Sequence, residues 1–107
     1  LRVISKTIID DKKFLESEKI ILVHSELISD FKLTVNRVFK NELEELSESN
    51  INIASTKIRF TTPIKYRGLE NKSVYLVTRS LNEKSKVQNY VAVTRAMDQV
   101  KIILWAK

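Results

Sequence analysis

Three short runs along the chain are almost wholly apolar: Lys19-Ile20-Ile21-Leu22-Val23-His24, Ser73-Val74-Tyr75-Leu76-Val77-Thr78 and Val100-Lys101-Ile102-Ile103-Leu104-Trp105. Runs this short, with little polar alternation, suit strands covered on both faces, as in a parallel sheet. Between them the period changes. Leu27, Phe31, Val35, Val38, Phe39, Leu43 and Leu46 recur at three- and four-residue steps. That spacing predicts an amphipathic helix opened by Ser25 as N-cap and closing near Ser49-Asn50. Ile51 to Phe60 favours strand. Ser85-x-x-Gln88 fits a capping box, in which hydroxyl and amide each satisfy a free N–H at a helix start, and predicts a helix to about Asp98. Tyr90-Val91-Ala92-Val93-Thr94 has local strand propensity, yet Val87, Tyr90, Val91, Thr94 and Met97 share one helical face, which decides for helix. Arg2 to Ile9 alternates loosely and reads as a strand before a charged turn at Asp10 to Lys13.

Strand, helix, strand, strand, helix, strand is the order of an α/β layer with a mostly parallel sheet flanked by helices. No linker or repeat divides the chain, so residues 1–107 are expected to form a single domain. In such sheets ligands sit where strand carboxyl ends lead into loops, and function is expected there.

Composition narrows the partners. With 43% hydrophobic and 30% charged residues among 107, the chain is an ordinary globular one. Its net charge of +6 admits an anionic partner such as nucleic acid or nucleotide phosphate. A solvated lysine surface gives the same sum. There is no cysteine and one histidine, His24, so thiolate and histidine metal sites are excluded. His24 is expected to be a satisfied strand-end histidine rather than a base. The apolar runs reach about five residues, against the roughly twenty that cross a bilayer. No membrane partner and a cytoplasmic location are the resulting expectations.

Two constellations carry candidate chemistry. Thr61-Thr62-Pro63-Ile64-Lys65-Tyr66-Arg67-Gly68-Leu69-Glu70 holds the only proline and the only glycine, with two cations and one carboxylate. Standing alone, such a glycine most often supplies a left-handed turn. In Tyr90-Val91-Ala92-Val93-Thr94-Arg95-Ala96-Met97 one arginine ends an apolar helical run. It suits either a side chain snorkelling from the core or a planar fork offered to phosphate. Lys57, Arg59, Lys65 and Arg67 lie in a stretch with no carboxylate until Glu70 and form a candidate basic strip.

Taken in order, Thr62 to Glu70, a strand, and Tyr90 to Ala96 resemble motifs V and VI of UvrD/Rep/PcrA-type superfamily 1 helicases. The resemblance is clear over residues 57–106, weaker over 19–40 where motif IV would lie, and absent over residues 1–18, which stay unassigned. It implies a partial RecA-like three-layer fold, the second motor domain of an ATP-dependent DNA helicase or translocase. By this resemblance Arg95 stands at the arginine finger that reaches the γ-phosphate, a catalytic role. Glu70 stands at the contact to the nucleotide sugar, with Gly68 allowing close backbone approach. Thr62, Lys65 and Arg67 fall in the motif beside single-stranded DNA, Arg67 replacing the usual lysine. ATP is then the ligand, with Mg2+ held by the N-terminal RecA-like motor domain of the same parent chain.

The sequence also departs from that family. Ile64 stands where many relatives have a DNA-contacting histidine, Asn71 where an aromatic residue often follows the glutamate, and Val23-His24-Ser25 lacks a phosphate-binding arginine. A chain with one glycine cannot contain Gly-x-x-x-x-Gly-Lys-Ser/Thr, so no phosphate-cradling loop exists here. The chain is therefore expected to supply half of an ATP site and to be inactive by itself. The alternative is a degenerate RecA-like module that binds nucleic acid or protein without a role in ATP turnover.

Overall fold

The computed structural model describes residues 4–53, 55–66, 68–79 and 86–105. Five strands form one sheet: β1 (Lys19–Val23), β2 (Leu43–Glu45), β3 (Ile58–Thr61), β4 (Asn71–Thr78) and β5 (Ala96–Leu104). Every pairing is parallel and the order is β2-β3-β1-β4-β5. All five residues of β1 are buried, as its unbroken apolar run requires at the centre of a sheet covered on both sides.

The pleat sends alternate residues to opposite layers. Ile21, Val23, Ile58, Phe60, Tyr75, Val77 and Ile103 face one cluster, closed by Leu27, Phe31, Val35 and Phe39. Phe31 belongs to α1 (Ile28–Thr34), and Val35 and Phe39 to a π-helical continuation, Val35–Phe39. Phe31 meets Phe60 and Trp105 edge-on, at centroid distances of 5.1 and 5.5 Å. Ile20, Leu22, Val74 and Leu76 face the other cluster, with Tyr66 and with Ala92 of α2 (Lys86–Val93).

Several sequence expectations are corrected. Residues 4–9 form a π-helical turn, not a strand. The helix after β1 has no Ser25 cap; its N-cap is Leu27, and the Ser25 N–H bonds to Gln88 Oε1 at 3.0 Å. It ends by Phe39, because Leu43 lies in β2 opposite Ile58. Leu43 fits a helical stripe and a buried strand equally well, and pairing with β3 wins. The strand expected from Ile51 begins only at Ile58. Ser85 of the expected capping box lies outside the described residues. On α2 the buried side chains are Val91 and Ala92, whereas Val87 and Tyr90 are 64% and 70% exposed, and Met97 lies past the helix, in β5. Of the face inferred from spacing, Val91 is buried and Thr94 half-buried while Val87 and Tyr90 point outward, and the helix expected to about Asp98 ends at Val93.

Polar anchors tie the N-terminal turn to the sheet. Buried Lys19 donates from Nζ to the Ile8 carbonyl at 2.8 Å and to Glu16 Oε1 at 3.1 Å. Tyr75 Oη donates to Asp11 Oδ2 at 2.8 Å, and Lys101 Nζ lies 3.4 Å from the same oxygen. The Tyr75 hydrogen bond chiefly, with the Lys13 N–H and the Lys101 charge, holds the Asp11 carboxyl down at about 2.

Two predictions follow from these anchors. Lys19→Met, which strands a buried carbonyl, lowers unfolding free energy by about 1–3 kcal/mol in urea titration. A carboxyl whose folded pKa lies below its unfolded value stabilises above the unfolded pKa of 3.8 and loses that effect as pH falls toward about 2. Asp11→Asn is therefore expected to cost on the order of 1–2 kcal/mol at pH 7 and almost nothing near pH 2, read from urea midpoints across that range.

Candidate functional site at the two ends of the sheet

After β3, the chain turns tightly. The Tyr66 N–H bonds to the Thr62 and Pro63 carbonyls at 3.2 and 3.1 Å, and the Leu69 N–H to the Tyr66 carbonyl at 3.1 Å. Tyr66 Oη donates to the Glu70 carbonyl at 3.1 Å, so one residue holds both ends of the turn, by its backbone N–H at one and its phenol at the other. Burial pushes the Tyr66 phenol up; an Asn71 hydrogen bond opposes this and the nearby Glu70 charge adds to it. Gly68 has φ +86°, and a Cβ there would meet nothing within 4 Å. Glycine is required for its backbone angle, and the surface around it is open.

This turn carries the chain from one end of the sheet to the other. Thr62 lies beside the carboxyl end of β3, whereas Glu70 immediately precedes the amino end of β4. Helix α2 returns in the same sense and leaves Arg95 just ahead of β5. The Asn71 N–H bonds to the Arg95 carbonyl at 3.0 Å, and Asn71 pairs with Ala96 across the ladder. Glu70 and Arg95 are thereby neighbours. Glu70 and Arg95 thus lie at the amino end of the sheet, not at the strand carboxyl ends where ligands were expected, whereas Thr62 lies at a carboxyl end.

The Arg95 guanidinium is held by Thr94 Oγ1, at 3.2 Å from Nη2, while that hydroxyl donates to the Val91 carbonyl at 2.9 Å. Among the described residues no carboxylate pairs with Arg95, and none of their cations pairs with exposed Glu70. Sequence reasoning overlooked Thr94 as the group that aims Arg95 and Asn71 as the backbone link. The only signal for Thr94 was its place directly before the arginine.

Among the described residues the basic strip does not form. Arg59 pairs with Glu44 at 2.8 Å and donates to the Ile53 carbonyl, and Lys57 Nζ donates to the Lys40 carbonyl at 3.3 Å. Lys65 is exposed, and Arg67 lies outside the described residues. Thr62 is only 9% exposed, and Ile64 is 43% exposed beside Lys65. His24 is buried at the end of β1. Its Nδ1 accepts from the Glu26 N–H at 3.5 Å, but its Nε2 has no partner among the described residues, so the expectation of a satisfied histidine is not met at that nitrogen there.

No helix among the described residues is long and apolar enough to cross a membrane. The family model described as viral superfamily 1 RNA helicase core domain matches residues 8–104. Among solved structures the chain is similar to the C-terminal domain of a possible DNA helicase from Lactobacillus plantarum WCFS1, with TM-score 0.71 and 13% identity. That likeness covers 96% of this chain, which spans 64% of the other's length. No curated protein matches in sequence.

Gly68→Ala is expected to destabilise by about 1 kcal/mol through left-handed backbone strain, without a steric clash. Thermal or urea unfolding checks it.

Proposed function

The chain belongs to the viral superfamily 1 RNA helicase core domain family, and on that premise we propose that it is the second, RecA-like motor domain of an ATP-driven helicase or translocase. The observation that carries the reading is the parallel pairing of β4 with β5, which brings Arg95 beside Glu70, each without an ion-pair partner among the described residues. An arginine without a carboxylate partner retains its charge and fork for a phosphate from elsewhere.

In this reading Arg95 reaches the γ-phosphate across a cleft from a partner RecA-like domain, and Glu70 accepts a hydrogen bond from the nucleotide sugar. Magnesium, held by the partner domain, would offset phosphate charge. Arg95 acts on charge that develops as the γ-phosphoryl passes to water, where such a group contributes roughly a thousandfold or more. Thr94 restricts its rotamers beforehand. At the opposite end, Thr62 and Lys65 border the track of a single nucleic-acid strand, DNA in the UvrD/Rep/PcrA-type resemblance, with Arg67 assigned to the same track.

Ile64 and His24 support the second reading, a binding module without a part in ATP turnover. An aliphatic side chain lies on the exposed rim where a strand would pass, and the end of β1 offers no arginine.

Single-strand-stimulated ATP hydrolysis by the full-length helicase separates the two. Arg95→Ala is expected to reduce turnover by about a thousandfold while ATP binding persists; unchanged turnover would leave only the binding module. For the strand, Lys65→Ala is expected to reduce the slope of log affinity against log salt by about 0.7. An unaltered slope would remove Lys65 from the track.

A further inference from the structure

The β4–β5 ladder is irregular at its first step. Asn71 pairs with Ala96 and Ser73 with Gln99, so two steps along β4 match three along β5. Such a bulge leaves one residue unpaired and re-aims its neighbours. From Ser73 onward the register is regular, but Glu70 and Arg95 lie beyond the irregularity. The ladder brings them near one another without fixing how closely they sit.

The Asn71 side chain supplies further ties. Its Nδ2 donates to the Ser17 carbonyl at 3.3 Å, and its Oδ1 accepts from the Lys72 N–H at 2.9 Å. It is also a hydrogen-bonding neighbour of the Tyr66 phenol, which donates to the Glu70 carbonyl at 3.1 Å. Its backbone N–H bonds to the Arg95 carbonyl at 3.0 Å. One residue thus joins the segments that end in Glu70 and Arg95 to a third, the 3-10 turn Glu16–Glu18. That turn is itself held. The Glu18 N–H bonds to the Leu15 carbonyl at 2.9 Å, Glu18 Oε1 accepts from the Leu15 N–H at 2.8 Å, and Glu18 Oε2 pairs with Lys72 Nζ at 2.9 Å. Lys19, directly after it, opens β1 opposite Ser73. A hydrocarbon side chain at position 71 could make none of the amide bonds.

We propose that Asn71 is a positioning residue for Arg95: its amide ties the start of β4 to the turn at residues 16–18, and its N–H carries that fixed point across to the arginine's carbonyl. The inference rests on the motor reading of Arg95. It also gives the segment before β1, for which the motifs assign no role, a part in the site. An arginine that stabilises a phosphoryl-transfer transition state acts only from the right place, and a displacement of about 1 Å can cost about a hundredfold. Thr94 limits the direction of the guanidinium from within its own segment. Asn71 limits the position of the backbone that bears it.

The test is a double-mutant cycle on single-strand-stimulated ATP hydrolysis by the full-length helicase. Asn71→Ala is expected to lower kcat by about ten- to a hundredfold with KM for ATP nearly unchanged, because the arginine's contribution is made in the transition state. In an Arg95→Ala background the same substitution is expected to change turnover little, since nothing is left to position. A merely structural part would lower both backgrounds by the same factor. Asn71→Leu keeps the volume, loses every amide bond and is expected to share the loss. The positioning role is overturned if either variant keeps full turnover, or if the loss is equal with and without Arg95. Should Arg95→Ala alone leave turnover unaltered, the motor reading falls and this inference with it. Should Arg95→Ala cost about a thousandfold while the Asn71 variants cost nothing, only the positioning role is lost.

Discussion

The parallel ladder between β4 and β5 is the constraint on which the candidate site depends. Each strand begins immediately after a residue of interest, Glu70 before Asn71 and Arg95 before Ala96, and Asn71 pairs with Ala96 at the first step. Two residues separated by 25 positions in the chain are thus made backbone neighbours by the ladder. Thr94 then narrows where the guanidinium points. Parallel pairing demands a crossover that starts at one end of the sheet and finishes at the other, and α2 is that crossover. Arg95 falls at the amino end because the helix has just completed its return.

Much of this was legible in the sequence. The three apolar runs mark β1, β4 and most of β5, because strands buried on both faces need apolar residues at consecutive positions. The fold class followed from their alternation with helical spacing, and the likeness to a helicase C-terminal domain agrees with it. Legibility failed where one pattern serves two structures. Leu43 satisfies a helical stripe yet pairs with Ile58, and α2 buries only Val91 of its expected apolar face because Val87 and Tyr90, equally apolar, are left exposed. The N-terminal turn was unreadable because its anchor, Lys19, is a charged residue in a run that otherwise signals strand.

For the candidate residues, the motifs indicated which side chains to examine but not how they are distributed. Written in line, Thr62 to Glu70 reads as one loop with one purpose. Folded, it is a strap from one end of the sheet to the other, anchored by Tyr66 at both ends. Gly68 supplies the one left-handed step among the described residues. Basic residues that look contiguous in sequence are separated by the same folding, Arg59 turning toward Glu44 beneath the strap while Lys65 remains on its rim.

The strand order also has a consequence for how the chain is made. Among the described residues β1 is the first strand in sequence and the middle one in the sheet, and its partners in β3 and β4 come 39 and 54 positions later. A parallel sheet has no hairpin to form early, so ladder contacts wait on long loop closures, a slow topology for a chain of this size. At about 5–20 residues per second of synthesis, Ile20 to Val23 wait about 3 to 11 seconds before β4 has been made. During that interval the most apolar stretch of the domain has two open edges and two uncovered faces, and is the segment a holding chaperone would meet first.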